Sequence, residues 1–142
     1  MLVSQILKDK GRRVLSAAPE DSLAEVAQRL ESERIGALLV LEGERVVGII
    51  SERDIVIALA RLGAAALDTP VRDCMTPDVI RAQPTETVDA LLARMTDRRI
   101  RHLPVLDGEH LCGLVSIGDL VKHKIGEVEA EAQTLKAYIS AG

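Results

Sequence analysis

Aromatic side chains are nearly missing from this 142-residue chain: it has no Trp, no Phe and one tyrosine, Tyr138. That excludes an aromatic platform for stacking single-stranded nucleic acid and requires an aliphatic core. The basic excess of a nucleic-acid binder is missing as well, since 18 Lys and Arg stand against 22 Asp and Glu for a net charge of −4. Cysteine is scarce. Cys74 and Cys112 form no Cys-x-x-Cys and share no metal-ligand spacing with histidine, so both are expected to be reduced and partly buried. No uncharged apolar run approaches the 18 residues that would suggest a membrane span. The opening MLVSQILKDKGRR has no apolar stretch followed by a small-residue cleavage site. These absences lead to an expectation of a soluble, cytoplasmic protein. Against them stands a hydrophobic fraction of 47%, ordinary for a globular chain and too high for disorder.

The chain repeats itself. At an offset of 65 residues the register runs without a gap from Val14/Val79 to Val56/Val121. Within it Pro19/Pro84, Arg29/Arg94, Arg34/Arg99, Ile35/Ile100, Gly43/Gly108, Gly48/Gly113, Ser51/Ser116 and Asp54/Asp119 are identical. Turn, apolar and polar positions all coincide, which identifies an internal duplication.

Each copy reads as strand, helix, strand, strand, helix, the β-α-β-β-α order of an α/β fold. Short first strands are expected at 14–17 and 79–82. Leu23, Val26, Ala27 and Leu30, like Val88, Leu91, Leu92 and Met95, follow the i, i+3, i+4, i+7 stripe of an amphipathic helix, with Ser22 and Thr87 as N-caps. Two apolar runs follow in each copy, joined by Glu-Gly-Glu-Arg and Asp-Gly-Glu-His, which is hairpin chemistry. Their continuity predicts strands buried on both faces. A helix then starts at Ser51 or Ser116. The expected organisation is an N-terminal helical segment 1–13, repeat one at 14–62, a linker at 63–78, repeat two at 79–125 and a C-terminal helical extension at 126–142. The N-terminal segment is expected to pack near the second copy, and Gly126 to kink the last helix.

Gly-Ile-Ile-Ser-Glu-Arg-Asp at 48–54 and Gly-Leu-Val-Ser-Ile-Gly-Asp at 113–119, each following its hairpin, resemble the tandem CBS-domain family, whose paired repeats form a Bateman module. Arg99-Ile-Arg-His-Leu-Pro-Val105 and Cys74-Met75-Thr76-Pro77 add to the resemblance, which covers both copies. It implies two repeats packed with pseudo-twofold symmetry, small mixed sheets flanked by helices, clefts for adenosine nucleotides between the repeats, and a homodimer.

By that resemblance Asp54 and Asp119 hold a ribose, with Ser51 and Ser116 near phosphate. The residue chemistry allows it, because a helix N-terminus offers free N–H groups and a positive dipole to an anion. The same Ser-x-x-Asp pattern also serves as a plain helix cap, and the local sequence leaves both readings open. Arg98, Arg99, Arg101 and His102 form the densest basic cluster. Arg98 and Arg99 are read as solvated charges at a helix end. Arg101 and His102 are expected to enter a buried strand, where an unpaired cation is costly, and to neutralise a nucleotide phosphate. Their counterparts, Gly36 and Ala37, are small and neutral, which predicts unequal clefts, the other depending more on Arg53. The resemblance puts Ser16 and Ala17, or Arg81 and Ala82, beside the base, with backbone groups near Ile35 and Ile100 reading its edge.

No nucleophile elbow, phosphate-binding loop, dinucleotide fingerprint or metal-ligand spacing occurs, and His110 and His123 are expected at the surface. The resulting expectation is a regulatory module rather than an enzyme. It carries no catalytic cofactor and no metal, and binds no nucleic acid or membrane. Its ligand would be an adenine nucleotide (AMP, ADP or ATP, with NAD or S-adenosylmethionine as further candidates), read out by an unidentified protein target. The alternative is a ligand-free dimerisation scaffold.

Overall fold

The computed structural model describes residues 1–11 and 14–141. Arg12, Arg13 and Gly142 lie outside the described residues, and the expected boundary after residue 13 falls there. The chain divides into two compact units, Arg13–Ile80 and Met1–Arg12 with Arg81–Gly142. They are called here the repeat-one and repeat-two units.

After helix α1 (Val3–Lys10), which belongs to the other unit, the repeat-one unit runs β1 (Ser16–Ala17), α2 (Leu23–Glu33), β2 (Ala37–Glu42), β3 (Arg45–Ser51) and α3 (Glu52–Leu62). Its sheet has the order β1-β2-β3, parallel between β1 and β2 and antiparallel between β2 and β3. Ser22 caps α2 by accepting from Glu25 N–H at 3.2 Å. The expected apolar stripe faces inward, with Leu23, Val26 and Leu30 buried against Leu38, Val40 and Ile50. Burying each such aliphatic side chain contributes about 1.5–3 kcal/mol. The helix ends on Arg34 in the left-handed region (φ 55°), which turns Ile35 N–H back onto the Leu30 carbonyl at 3.0 Å. After α3 the linker folds into two 3-10 turns, Gly63–Asp68 and Val71–Asp73, and Ala66 and Val71 join the core.

The repeat-two unit is α1 (Val3–Lys10), α4 (Val88–Arg98), β4 (His102–Asp107), β5 (His110–Ser116) and α5 (Ile117–Ala141). Thr87 caps α4, accepting from Ala90 N–H at 3.1 Å, and Val88, Leu91 and Met95 are buried. The expected first strand of this copy shrinks to one bridge, Ala82 with Val105. The reason is Pro104, which stands where repeat one has Leu39, the partner of Ser16. Proline has no N–H to give the ladder. The inner strands β2 and β4 are buried almost throughout, whereas β3 and β5 bury one face and half-bury the other. α5 runs through Gly126 as one helix of 25 residues.

The duplication extends further than the ungapped register. Val71 N–H reaches the Asp21 carbonyl and Arg72 N–H that of Pro19; Val3 N–H reaches Glu86 and Ser4 N–H reaches Pro84. With the 65-residue offset these are equivalent acceptors, so 3–7 matches 71–75 at an offset of 68. The N-terminal helix of repeat two therefore occupies the place that the linker occupies in repeat one. Close approach fixes two glycines. A Cβ on Gly48 would lie 2.5 Å from Met75 Sδ, and one on Gly113 would lie 2.6 Å from Leu7 Cδ2.

Candidate functional site

The same device is built at the end of each hairpin. In repeat one, Glu52 N–H donates to the Gly36 carbonyl at 3.0 Å, which pins the start of α3 beside the start of β2. Ser51 pairs with Ala37 across the strands and caps the helix, accepting from Asp54 N–H at 3.3 Å. Asp54 Oδ2 in return accepts from Ser51 N–H at 2.9 Å and from the Ser51 hydroxyl at 3.0 Å. Its other oxygen, Oδ1, accepts only a long bond from the Thr76 hydroxyl, 3.4 Å, among the described residues. One carboxylate oxygen is thus fixed by the helix start and the other is only lightly engaged.

In repeat two, Ile117 N–H donates to the Arg101 carbonyl at 2.8 Å, His102 pairs with Ser116, and Ser116 accepts from Asp119 N–H at 3.1 Å. Asp119 Oδ2 accepts from Ser116 N–H at 2.9 Å. Here the second partner is a cation: Lys10 Nζ, at the end of α1, lies 2.6 Å from Asp119 Oδ2 and 2.9 Å from the Leu114 carbonyl. Burial pushes the Asp119 carboxyl up, but the hydrogen bonds from Lys10 and Ser116 and the Lys10 charge outweigh it and hold it below its ordinary value of 3.8. Leu114 corresponds to Ile49, whose carbonyl accepts Thr76 N–H at 2.9 Å. The ammonium of Lys10 therefore reaches the carbonyl and the carboxylate that correspond to those Thr76 reaches in repeat one, but it takes the capping oxygen Oδ2 of Asp119, whereas Thr76 takes Oδ1 of Asp54.

The other expected residues divide. Arg101 lies just before β4 and is exposed, so the buried-cation argument does not apply to it; His102, the first residue of β4, is half-buried. Arg53 is exposed in the first turn of α3, and Arg98 and Arg99 are exposed as expected. Ser16 and Arg81 are tied through their carbonyls to Arg29 and Arg94 respectively. Ala17 and Ala82 are buried, so neither methyl lies on the surface. The amides of Ile35 and Ile100 are engaged by the preceding helices, which leaves their carbonyls. Arg81 and Ala82 line a concavity of about 400 Å³ with Glu86 and Arg94, and neither Ser116 nor Asp119 is part of it. Arg94 pairs with Glu86, a hydrogen bond that lowers the glutamate carboxyl and raises the guanidinium.

Cys74 and Cys112 are free thiols, both half-buried. His110 is exposed. His123, expected at the surface, is instead packed under α1, its Nδ1 2.8 Å from the Asp119 carbonyl and its Nε2 3.5 Å from Asp9 Oδ2. Among the described residues no group of three or more His, Cys, Asp or Glu could hold a metal ion, and no helix is long and apolar enough to cross a membrane. Neither Lys10 nor Thr76 is among the residues expected at the site, although Thr76 lies in the Cys74-Met75-Thr76-Pro77 motif. The signal that finds them is the gapped match of Val3-Ser4-Gln5-Ile6-Leu7 to Val71-Arg72-Asp73-Cys74-Met75.

Comparison with known proteins agrees with this architecture. The family model of the CBS domain matches residues 3–61 and 71–126, so each match starts at the gapped equivalents 3 and 71 rather than at 14 and 79. The CBS-domain protein ATU1752 from Agrobacterium tumefaciens is 42% identical and superimposes with a TM-score of 0.85 over 87% of this chain and 99% of that one. The CBS-domain pair of MJ0100, solved with 5′-methylthioadenosine and S-adenosyl-L-methionine, is 29% identical with a TM-score of 0.79 over 89% of this chain and 98% of that one. PAE2072 from Pyrobaculum aerophilum, a CBS-domain protein complexed with AMP, is 28% identical with a TM-score of 0.74 over 84% and 89%.

Proposed function

The chain belongs to the CBS-domain family, and from that premise we propose that it is a regulatory module, not an enzyme, that binds an adenine nucleotide and passes the occupancy on to a partner protein. The observation that carries this reading is Asp54. It stands at the start of α3 with one oxygen fixed by Ser51 and the other held by a single 3.4 Å bond. A carboxylate so oriented can accept from the two hydroxyls of a ribose, and the N–H groups and dipole of the helix start favour a phosphate nearby. Support from relatives is the AMP complex of PAE2072 and the methylthioadenosine and S-adenosylmethionine complex of MJ0100.

In this reading the two repeats bind unequally. Asp54 takes the ribose, with Arg53 in the same first turn available to phosphate. At Asp119 the Lys10 ammonium on Oδ2 offsets the carboxylate's charge and so weakens its pull on ribose hydroxyls, and repeat two binds more weakly. Arg101 supplies the positive charge there, with His102 paired across the strands from Ser116. Binding shifts the module between conformations only as far as the ligand prefers one of them, and the partner protein reads that shift.

The test is thermal unfolding of nucleotide-stripped protein, followed by circular dichroism, with AMP, ADP, ATP, NAD or S-adenosylmethionine. A ligand at a hundred times its dissociation constant adds about 2.7 kcal/mol of apparent stability, a rise of several degrees for a chain of this size. A selective rise identifies the ligand; no rise with any of the five at millimolar concentration overturns the reading and leaves a scaffold.

A further inference from the structure

From its second turn to its end, α5 carries an apolar seam that its own unit does not use. Val121, Ile125, Val128, Ala132, Leu135 and Ile139 recur at alternating spacings of four and three, the a/d pattern of a heptad. All six are exposed, the larger ones from 41% at Val121 to 67% at Ile139. The face of α5 packed on its own unit is a different one. Leu120 is buried, His123 lies under α1, and Glu127 accepts from the terminal amine of Met1 at 3.1 Å. Those are c and f positions, across the helix from the seam. From Val128 to Ala141 every residue is exposed, yet a bare helix of two heptads is marginal in water.

We propose that Val121–Ile139 forms one strand of a parallel two-stranded coiled coil with a second copy of this chain. The charges flanking the seam choose both the occupant and the direction. In a parallel in-register pair each g position faces the e position of the next heptad on the other helix. Here Lys124 meets Glu129 and Glu131 meets Lys136, two attractive pairs, each formed twice by symmetry. The antiparallel register that best matches the apolar seam sets Lys122 against Lys136, Glu129 against its own copy and Glu131 against its own copy. All three are repulsive. Isoleucine at a positions 125 and 139 with leucine at d position 135 suits two strands, and Val121 and Val128 fill the other d positions. Lys124 lies 3.0 Å from Asp89 of its own chain, an exposed pair that leaves it within reach of the facing helix. A membrane surface is a poor alternative occupant, because Glu127, Glu129 and Glu131 give this stretch the wrong charge for anionic lipid.

Sedimentation equilibrium on the full chain tests the proposal, and the seam residues are exposed enough that substituting them leaves the fold intact. Dimer is expected at micromolar concentration. Leu135→Glu is expected to weaken it at least about tenfold, since it puts two charges into one apolar layer. Glu131→Lys faces Lys136 and is expected to weaken it roughly fivefold, with Glu131→Lys combined with Lys136→Glu restoring it. In a chain with Cys74→Ser and Cys112→Ser, Leu135→Cys is expected to cross-link to its own copy under mild oxidation. A monomer at high micromolar concentration, or a dimer indifferent to Leu135→Glu, overturns the coiled coil. A dimer that forms no Leu135→Cys cross-link and does not respond to the double charge reversal overturns the parallel arrangement.

Discussion

The two repeats hold the same helix start with different chemistry. In repeat one the contacts to the Ile49 carbonyl and to Asp54 come from a neutral threonine, one through its backbone N–H at 2.9 Å and one through its hydroxyl at 3.4 Å. In repeat two a single ammonium at the end of a helix reaches the corresponding carbonyl and carboxylate, at 2.9 and 2.6 Å. The change follows from the three residues gained between offsets 68 and 65. They let the N-terminal segment continue as α1 to Lys10, where the equivalent stretch of repeat one leaves its 3-10 turn and bridges Thr76 to Ile49. A duplicated scaffold thereby holds two carboxylates of unlike electrostatics while keeping the serine that pairs with each. Ligand binding gives the largest expected contrast. Asp54→Ala removes hydrogen bonds to a charged group worth about 1.5–3 kcal/mol each, so nucleotide affinity should fall at least about tenfold. Asp119→Ala should cost less, and Lys10→Met should raise the affinity of repeat two while leaving that of repeat one unchanged. Calorimetric titration of the three variants decides it: equal losses for the two aspartates, or weaker binding in Lys10→Met, would remove the distinction.

Packing under the hairpin gives the next largest effect. The cost of a methyl group at the two equivalent glycines depends on what it meets. At Gly48 it would meet Met75 Sδ at 2.5 Å and the Thr76 carbonyl, which is backbone, at 3.1 Å; at Gly113 it meets only the tip of Leu7. Overpacking of this kind costs about 1–3 kcal/mol. Gly48→Ala should therefore lie near the upper end and Gly113→Ala near the lower, measured by urea unfolding. Equal costs would show that Thr76 can move, and that repeat one is as yielding as repeat two.

How much of this was legible beforehand follows the range of the forces involved. The helices, their caps Ser22 and Thr87, and the hairpins with Gly43 and Gly108 all rest on local periodicity and turn chemistry, so the sequence expressed them directly. The role of Ser51 and Asp54 as a reciprocal pair was equally readable, because three residues along one helix start fix it. The departures from expectation are of two kinds. Arg101 and the first strand of repeat two differ because one residue decides each: Arg101 falls before the strand, and Pro104 removes the ladder bond that Leu39 supports. Lys10 was invisible because its partner is 109 residues away, and only the gapped alignment of 3–7 with 71–75 brings the two segments into equivalent places.

Stability against pH isolates the Lys10–Asp119 pair. Because Asp119 titrates below its ordinary 3.8, its pairing with Lys10 stabilises the fold fully above that value and ceases to do so as pH falls through the lowered folded value. A partly exposed pair of this kind contributes about 1 kcal/mol. Lys10→Met should therefore be less stable than the parent by that amount at pH 7, with the gap closing in strong acid. Urea midpoints across the acid range measure this. A Lys10→Met deficit that persists unchanged at pH 2 would mean that the lysine acts by packing its stem, and not through Asp119.

The smallest expected effect concerns a feature that the repeats share. Arg34 and Arg99 both close their helices at φ 55°, a conformation that costs an ordinary residue about 1 kcal/mol and glycine almost nothing. Glycine's greater freedom in the unfolded chain offsets part of that gain, so Arg34→Gly and Arg99→Gly should each stabilise by a few tenths of a kcal/mol. The two should match, because each helix returns the following isoleucine amide to its last turn at 3.0 Å and each arginine is exposed. A clear loss at one position alone would show that its guanidinium makes a contact the other lacks. Paired melting curves at low and high salt would reveal that directly, since a charge contact weakens with ionic strength and a backbone preference does not.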